Sequence, residues 1–267
     1  MASSTDHPDR RSVLRGAAAV ALATVATGAG RATAQQASTA EQRDLAAAAG
    51  VPGAPAGTRV LWRARTDVRV LALTFDDGPS AEYTPALLDL LAHEDVRATF
   101  CVVGRRLLTA PDLFRREVDE GHEIVNHSWT HADLSALSPA RVYDELRRTD
   151  DWITEVTGRR PRLVRPPYGR ISGTVLAAAA RLEHDVLLWD AQAVERGVTV
   201  AQDVTHLLDA LRPGQVLLMH DQGPVRRRIG MASVLPVIRG ARDRGYRFVP
   251  ASELFALDLR EPGAPQQ

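Results

Sequence analysis

From Val68 onward, short apolar runs alternate with amphipathic stretches. VRVLALTF precedes TPALLDLLAHE, RATFCVV precedes PDLFRREVDEG, and HEIVN precedes SPARVYDELRRTDDWITEVTG. The alternation continues through RLVRP, GTVLAAAARLE, DVLLW, VTHLLDALRPG, QVLLMH, MASVLPVIRGARDRG, YRFV and SELFAL. Short apolar strands separated by helical periods indicate βα units on a parallel sheet. Seven strand-like runs in about 190 residues predict an α/β barrel slightly smaller than the usual eight-unit one. An open doubly wound sheet is the alternative. No fixed-period repeat runs through the chain.

The first 66 residues follow a different pattern. Arg10-Arg11-Ser12-Val13-Leu14-Arg15 leads into a small, uncharged, Ala-rich run over 16–30, then Ala32-Thr33-Ala34 ahead of Gln35. That is the three-part layout of a secretory signal over residues 1–34. The arginine pair resembles a twin-arginine export signal, which predicts a secreted or cell-envelope protein. The Ala-rich run is too short and too weakly apolar to span a ~30 Å hydrocarbon core, so no permanent membrane span is expected. Residues 35–66, rich in Ala, Gly and Pro, read as a linker or wrapping arm. Residues 67–258 hold the folded domain and 259–267 a tail.

Composition narrows the chemistry. Thirty-three cations meet 33 acids, and every cation is an arginine. A chain of zero net charge lacks the basic excess that phosphate-backbone binding requires, which argues against a nucleic-acid partner. The single cysteine, Cys101, excludes an intrachain disulfide framework and a Cys-rich zinc site. Its place inside an apolar strand marks it as a small buried hydrophobe. Any metal must therefore be held by His and carboxylate.

In a parallel α/β fold the loops after the strands share one rim. After VRVLALTF come Asp76 and Asp77; after HEIVN, His127 and His131; after RLV, Arg165-Pro166-Pro167-Tyr168; after DVLLW, Asp190; after QVLLM, His220 and Asp221. Each has a bland account: Asp-Gly-Pro is ordinary turn chemistry, HxxxH a surface pair, Pro-Pro a structural turn, and His220 a core histidine. Together they suggest a site. Adjacent carboxylates at a buried strand end repel unless a cation relieves them, and in an extended chain they point to opposite sides. His127 and His131 have the spacing of one face of a helical turn. With Asp77 they make a two-His, one-carboxylate set with open positions for water and substrate. Stiffened by Pro-Pro, Arg165 can orient a carboxylate, and His220 is the natural general acid. His7, His93, His122, His184 and His206 read as non-catalytic.

The set TFDDGP, HSWTH, RPPY and LMH, in order from about Val68 to Phe255, resembles the polysaccharide deacetylases of carbohydrate esterase family 4, which share the NodB homology domain. The resemblance implies a distorted (β/α) barrel and removal of acetyl groups from N-acetylglucosamine polymers or acetylated xylan; the chain is expected to act as a monomer. It implies a divalent metal, zinc first and cobalt second, on Asp77, His127 and His131. Asp76 would be the base, Arg165 its orienter and His220 the acid, with the Tyr168 N–H stabilising the oxyanion. Tyr168, Trp189 and Leu218 would wall the substrate, although core packing explains Trp189 and Leu218 equally well. One departure stands out. Gln192 occupies the place of an expected Asp, and Glu195-Arg196 replaces Asp-Trp, which questions the anchoring of Arg165 unless Gln192 or Asp190 takes over. Weakened turnover, or a carbohydrate-binding barrel without useful turnover, is the expectation that follows.

Overall fold

The computed structural model describes residues 58–194 and 196–258. Their elements are β1 (Val60–Leu61), β2 (Val70–Asp76), α1 (Thr84–His93), β3 (Thr99–Val102), α2 (Gly104–Leu107), α3 (Pro111–Asp119) and β4 (Glu123–Asn126). They continue as α4 (Pro139–Thr157), β5 (Leu163–Val164), α5 (Gly173–Arg181), β6 (Asp185–Leu187), β7 (Ala191–Gln192) and α6 (Val200–Asp209). Last come β8 (Gln215–His220), α7 (Arg227–Asp243), β9 (Arg247–Phe248) and α8 (Ala251–Ala256). The proposed leader and the tail lie outside the described residues.

The apolar run of β2 is continuous because every one of its residues is buried, with β3 on one side and β8 on the other. A parallel strand covered on both faces has no use for a polar alternation. The sheet order is β1-β6-β5-β4-β3-β2-β8-β7, all parallel, with β9 added to β2. Strands β6 and β7 stand at opposite ends of the β2–β8 series, yet only residues 188–190 separate them. The chain thus joins the two ends, and the seven strands curl into a distorted (β/α) barrel instead of an open sheet.

Residues 58–66, placed by composition in the arm, lie across this seam. Strand β1 pairs with β6, Arg63 then bridges Gln215 at the start of β8, and the Ala64 N–H donates to the Gly214 carbonyl at 2.8 Å. A side chain at Gly214 would begin 2.0 Å from the Ala64 oxygen, and φ there is +77°, so the crossing needs a glycine. Helix α4 starts on a proline and ends at Gly158 in the left-handed region, the usual asymmetry of helix ends. It buries Val142, Leu146 and Ile153 together with Glu145, Thr149 and Asp150. Among the described residues no helix is long and apolar enough to cross a membrane.

Candidate metal and catalytic site

Strand register brings the motif residues together. Asp76 ends β2 and pairs with Cys101 on β3 and His220 on β8. The His127 N–H donates to the Val102 carbonyl, and the Arg165 N–H to that of Asn126. Four strand exits therefore meet at one rim.

The adjacent acids do not diverge as extended neighbours would. Asp77 has left the strand with φ 78°, which turns its carboxylate to the same side as that of Asp76. Asp76 Oδ2 and Asp77 Oδ1 lie 3.7 and 3.5 Å from His127 Nε2. The HxxxH segment is likewise no helical turn. Ser128 and His131 both adopt left-handed backbone, at 66° and 62°, and this loop brings the rings to 5.0 Å between centroids. With Tyr168 at 61°, four non-glycine residues of the rim hold a conformation that costs about 1–3 kcal/mol each. Surrounding bonds impose it: Asn126 Oδ1 accepts from Ser128 N–H, Ser128 Oγ from His131 N–H, and Glu145 from both donors of Thr130.

The donor set fits a metal ion. His127 donates from Nδ1 to the Arg165 carbonyl at 2.6 Å, which leaves the Nε2 lone pair facing the two acids. That atom is buried and has no hydrogen-bond partner. His131 Nε2 is 3.0 Å from Asp77 Oδ1. One ligand atom each from Asp77, His127 and His131 falls within 4.8 Å of the others. Two imidazoles and one carboxylate suit a zinc-type ion with positions left for substrate. Burial opposes the ionised form of Asp77, but the two histidines outweigh it and hold its carboxyl far below the ordinary range. Burial likewise works against ionised Asp76, and the Arg165 charge, with His127 and His220, carries it below its usual value. His127 is pulled upward by both acids in spite of its burial.

Arg165 is fully buried. Its Nη1 donates to Asp76 Oδ1 at 2.6 Å and to Thr74 Oγ1 at 2.8 Å; Nη2 reaches the Leu188 carbonyl at 3.2 Å and Nε that of Leu187 at 3.4 Å. Neither substitute anchor suggested by the sequence is used. Gln192 Oε1 accepts from Trp189 Nε1, and Asp190 Oδ1 accepts from the Val216 N–H beside the seam. The Leu187 and Leu188 carbonyls serve as acceptors for the guanidinium instead. Glu195 lies outside the described residues.

Tyr168 is 60 % exposed, with its ring 4.8 Å from that of His131. Trp189 is half-buried against Gly169, and Leu218 is buried in the sheet at 3 % exposure. Burial pushes the Cys101 thiol well up, as suits an inert hydrophobe. His122 packs on Phe100 and His184 pairs with Asp150; neither belongs to the group of Asp77, His127 and His131.

Two residues were missed. Arg227, at the start of α7, donates from Nη1 to His220 Nδ1 at 2.6 Å, and its Nη2 is 3.7 Å from Asp77 Oδ2. The run Arg226-Arg227-Arg228 just beyond the His220 loop was the available signal. Asp221, noted only as the neighbour of His220, is fully buried. Thr84 Oγ1 donates to its Oδ2 at 2.5 Å, and a side chain at Gly78 would begin 2.1 Å from that oxygen.

A family model described as polysaccharide deacetylase matches residues 63–187. The chain is 33% identical over 225 residues to the peptidoglycan-N-acetylglucosamine deacetylase PgdA of Listeria monocytogenes, covering 84% of this chain and 45% of that protein. It thus spans less than half the length of that relative. A peptidoglycan-N-acetylglucosamine deacetylase of Bacillus cereus is 33% identical over 205 residues, covering 73% of this chain and 92% of the relative. Among solved structures, a peptidoglycan N-acetylglucosamine deacetylase in complex with 4-naphthalen-1-yl-N-oxidanyl-benzamide superposes with a TM-score of 0.70 at 28% identity. That match covers 73% of this chain and 92% of the other. With the barrel, the four motifs on its rim and a 33%-identical relative matched over 92% of its length, the chain belongs to the polysaccharide deacetylase family.

Proposed function

We propose that this chain is a metal-dependent deacetylase, exported to the cell envelope, that removes acetyl groups from N-acetylglucosamine-containing polysaccharide. The observation that carries the reading is the meeting of Asp77, His127 and His131 beside Asp76 and His220 on adjacent strands. Relatives named for peptidoglycan N-acetylglucosamine favour peptidoglycan as the first substrate to try, ahead of chitin-like polymers and acetylated xylan.

A divalent ion held by Asp77, His127 and His131, zinc before cobalt, would polarise the acetyl carbonyl and lower the pKa of a coordinated water to about 7. Asp76 takes the proton of the attacking water at Oδ2, because Oδ1 is occupied by Arg165. Arg165 keeps that carboxylate ionised and fixed in direction. His220 gives a proton to the leaving nitrogen as the C–N bond breaks, and acetate and a free amine result. The Tyr168 N–H stabilises the oxyanion, a contribution of roughly 3–4 kcal/mol. The exposed Tyr168 ring, with Trp189 and Leu218 on the inner side, bounds the substrate.

The test is acetate release by the zinc- or cobalt-loaded protein from peptidoglycan, chito-oligosaccharides and acetylxylan. Asp76→Asn and Asp77→Ala should each abolish it. No acetate from any of the three polymers would defeat the reading. The departure at Gln192 favours a second reading, a sugar-binding barrel without turnover. In that case Asp77→Ala would still co-sediment with insoluble peptidoglycan, and neither protein would release acetate.

A further inference from the structure

On helix α4 an acid stands where an amphipathic helix would bury an apolar residue. Asp150 is 1 % exposed and divides its two oxygens between opposite directions. Oδ2 accepts from His184 Nε2 at 2.8 Å and from Arg160 Nε and Nη2 at 3.3 Å. Oδ1 accepts from Asn126 Nδ2 at 2.7 Å. Asn126 is completely buried, and its amide is oriented by its partners. Nδ2 also donates to the Leu146 carbonyl at 2.7 Å, and Oδ1 accepts from the Ser128 N–H at 2.8 Å. Ser128 Oγ then accepts from the His131 N–H at 3.0 Å. An unbroken run of bonds thus leads from the α4 carboxylate to the backbone of a metal-site imidazole. Its last two members are the loop residues in left-handed backbone, which the loop would not hold unaided.

We propose that Asp150 is a positioning residue of the metal site: through Asn126 and Ser128 it fixes the loop that aims His127 and His131, and so sets metal affinity. His184 and Arg160 hold the carboxylate in place. The inference rests on the reading of Asp77, His127 and His131 as metal ligands. Loss of a partner behind a metal ligand typically lowers affinity 10–100-fold. Asp150 stands three hydrogen bonds out, so about a tenfold loss is expected.

The experiment uses the full chain stripped of metal. Zinc and cobalt affinities are measured by competition with a chromophoric chelator, and the cobalt absorption spectrum reports ligand geometry. Asp150→Ala should bind about tenfold more weakly with an altered spectrum. Asp150→Asn, whose amide oxygen still accepts from Asn126, should stay within about threefold of wild type. Should Asp150→Ala not fold, the double variant Asp150→Leu/His184→Leu removes the carboxylate and its imidazole together, leaving neither buried and unpaired. It should show the same tenfold loss. Wild-type affinity and spectrum in Asp150→Ala or in the double variant would overturn the proposal. An equal loss in Asp150→Asn would overturn the route through Asn126. A wild-type chain that binds neither ion would overturn the metal-site reading itself, whatever the variants do.

Discussion

Replacing Asp221 by Asn in the metal-free protein should make it more stable at neutral pH, by an amount that vanishes in acid. Burial pushes the Asp221 carboxyl up to about 7, and the charges of Asp77 and Asp76 add to that against the Thr84 hydroxyl. In the unfolded chain the same group titrates near 3.9. Between about pH 4 and pH 7 the folded state therefore keeps a proton that the unfolded state has released. Stability falls as pH rises through that window and levels off above it. A rise from 3.8 to about 7 corresponds to roughly 4 kcal/mol once the window has been crossed. Asn preserves the shape and the acceptor for Thr84 but has no proton to lose. Glu117, fully buried and raised well above its usual value by burial and by Asp221, adds a slope of its own in both proteins. That contribution largely cancels in the difference between them. Urea unfolding followed by circular dichroism, in chelator at one-unit steps from about pH 4 to pH 8, measures the effect. The two proteins should be nearly equal at the acid end, and the variant should lead by roughly 4 kcal/mol at the alkaline end. A difference independent of pH, or a variant less stable at about pH 8, would refute the reasoning.

The rim supports three further expectations. Arg165→Lys keeps the charge but cannot reach Asp76, Thr74 and the Leu187 and Leu188 carbonyls at once. It should lower kcat about 10²-fold or more, with a loss of about 2 kcal/mol in urea unfolding. Gln192→Ala should change the rate of acetate release by less than about threefold, because Gln192 bonds Trp189 and not Arg165. A much larger fall would show that Gln192 takes part in the chemistry. Dialysis against a chelator should abolish acetate release, and zinc or cobalt should restore it in the wild type but not in His127→Ala, whose orphaned Nε2 is gone.

Residue types and their order were enough to indicate the barrel and to name candidate residues that the fold gathers at one rim. The buried strand VLALTFD, whose final acid is followed at once by a second, is legible because a parallel strand needs apolar residues on both faces and has little reason to end on paired charges. Local geometry was less legible. His-x3-His has helical spacing, yet the pair meets on a loop held in left-handed backbone by Asn126, Ser128 and Glu145. Adjacent acids diverge in a strand, yet Asp77 has already left it. In both places tertiary hydrogen bonds overrode the local rule, and no spacing records them. The pairing of Asp76 with His220 depends in turn on strand register, which residue order alone does not state.

The departure at Gln192 shows why reading a motif by side chains has a limit. A buried guanidinium needs acceptors, and a side-chain carboxylate is only one source of them. Here the chain leaves β6 with the Leu187 and Leu188 carbonyls directed at Arg165, so two backbone oxygens of apolar residues do what a missing acid was expected to do. Every residue has a carbonyl, so such an anchor leaves no trace in residue type. What the exchange removes is negative charge. Among the described side chains, Asp76 is the carboxylate that Arg165 bonds, and the pair stands on neutral acceptors alone. The guanidinium charge faces Asp76, which favours the ionised form of that carboxyl and fixes its direction. Loss of the expected acid therefore need not mean loss of catalysis.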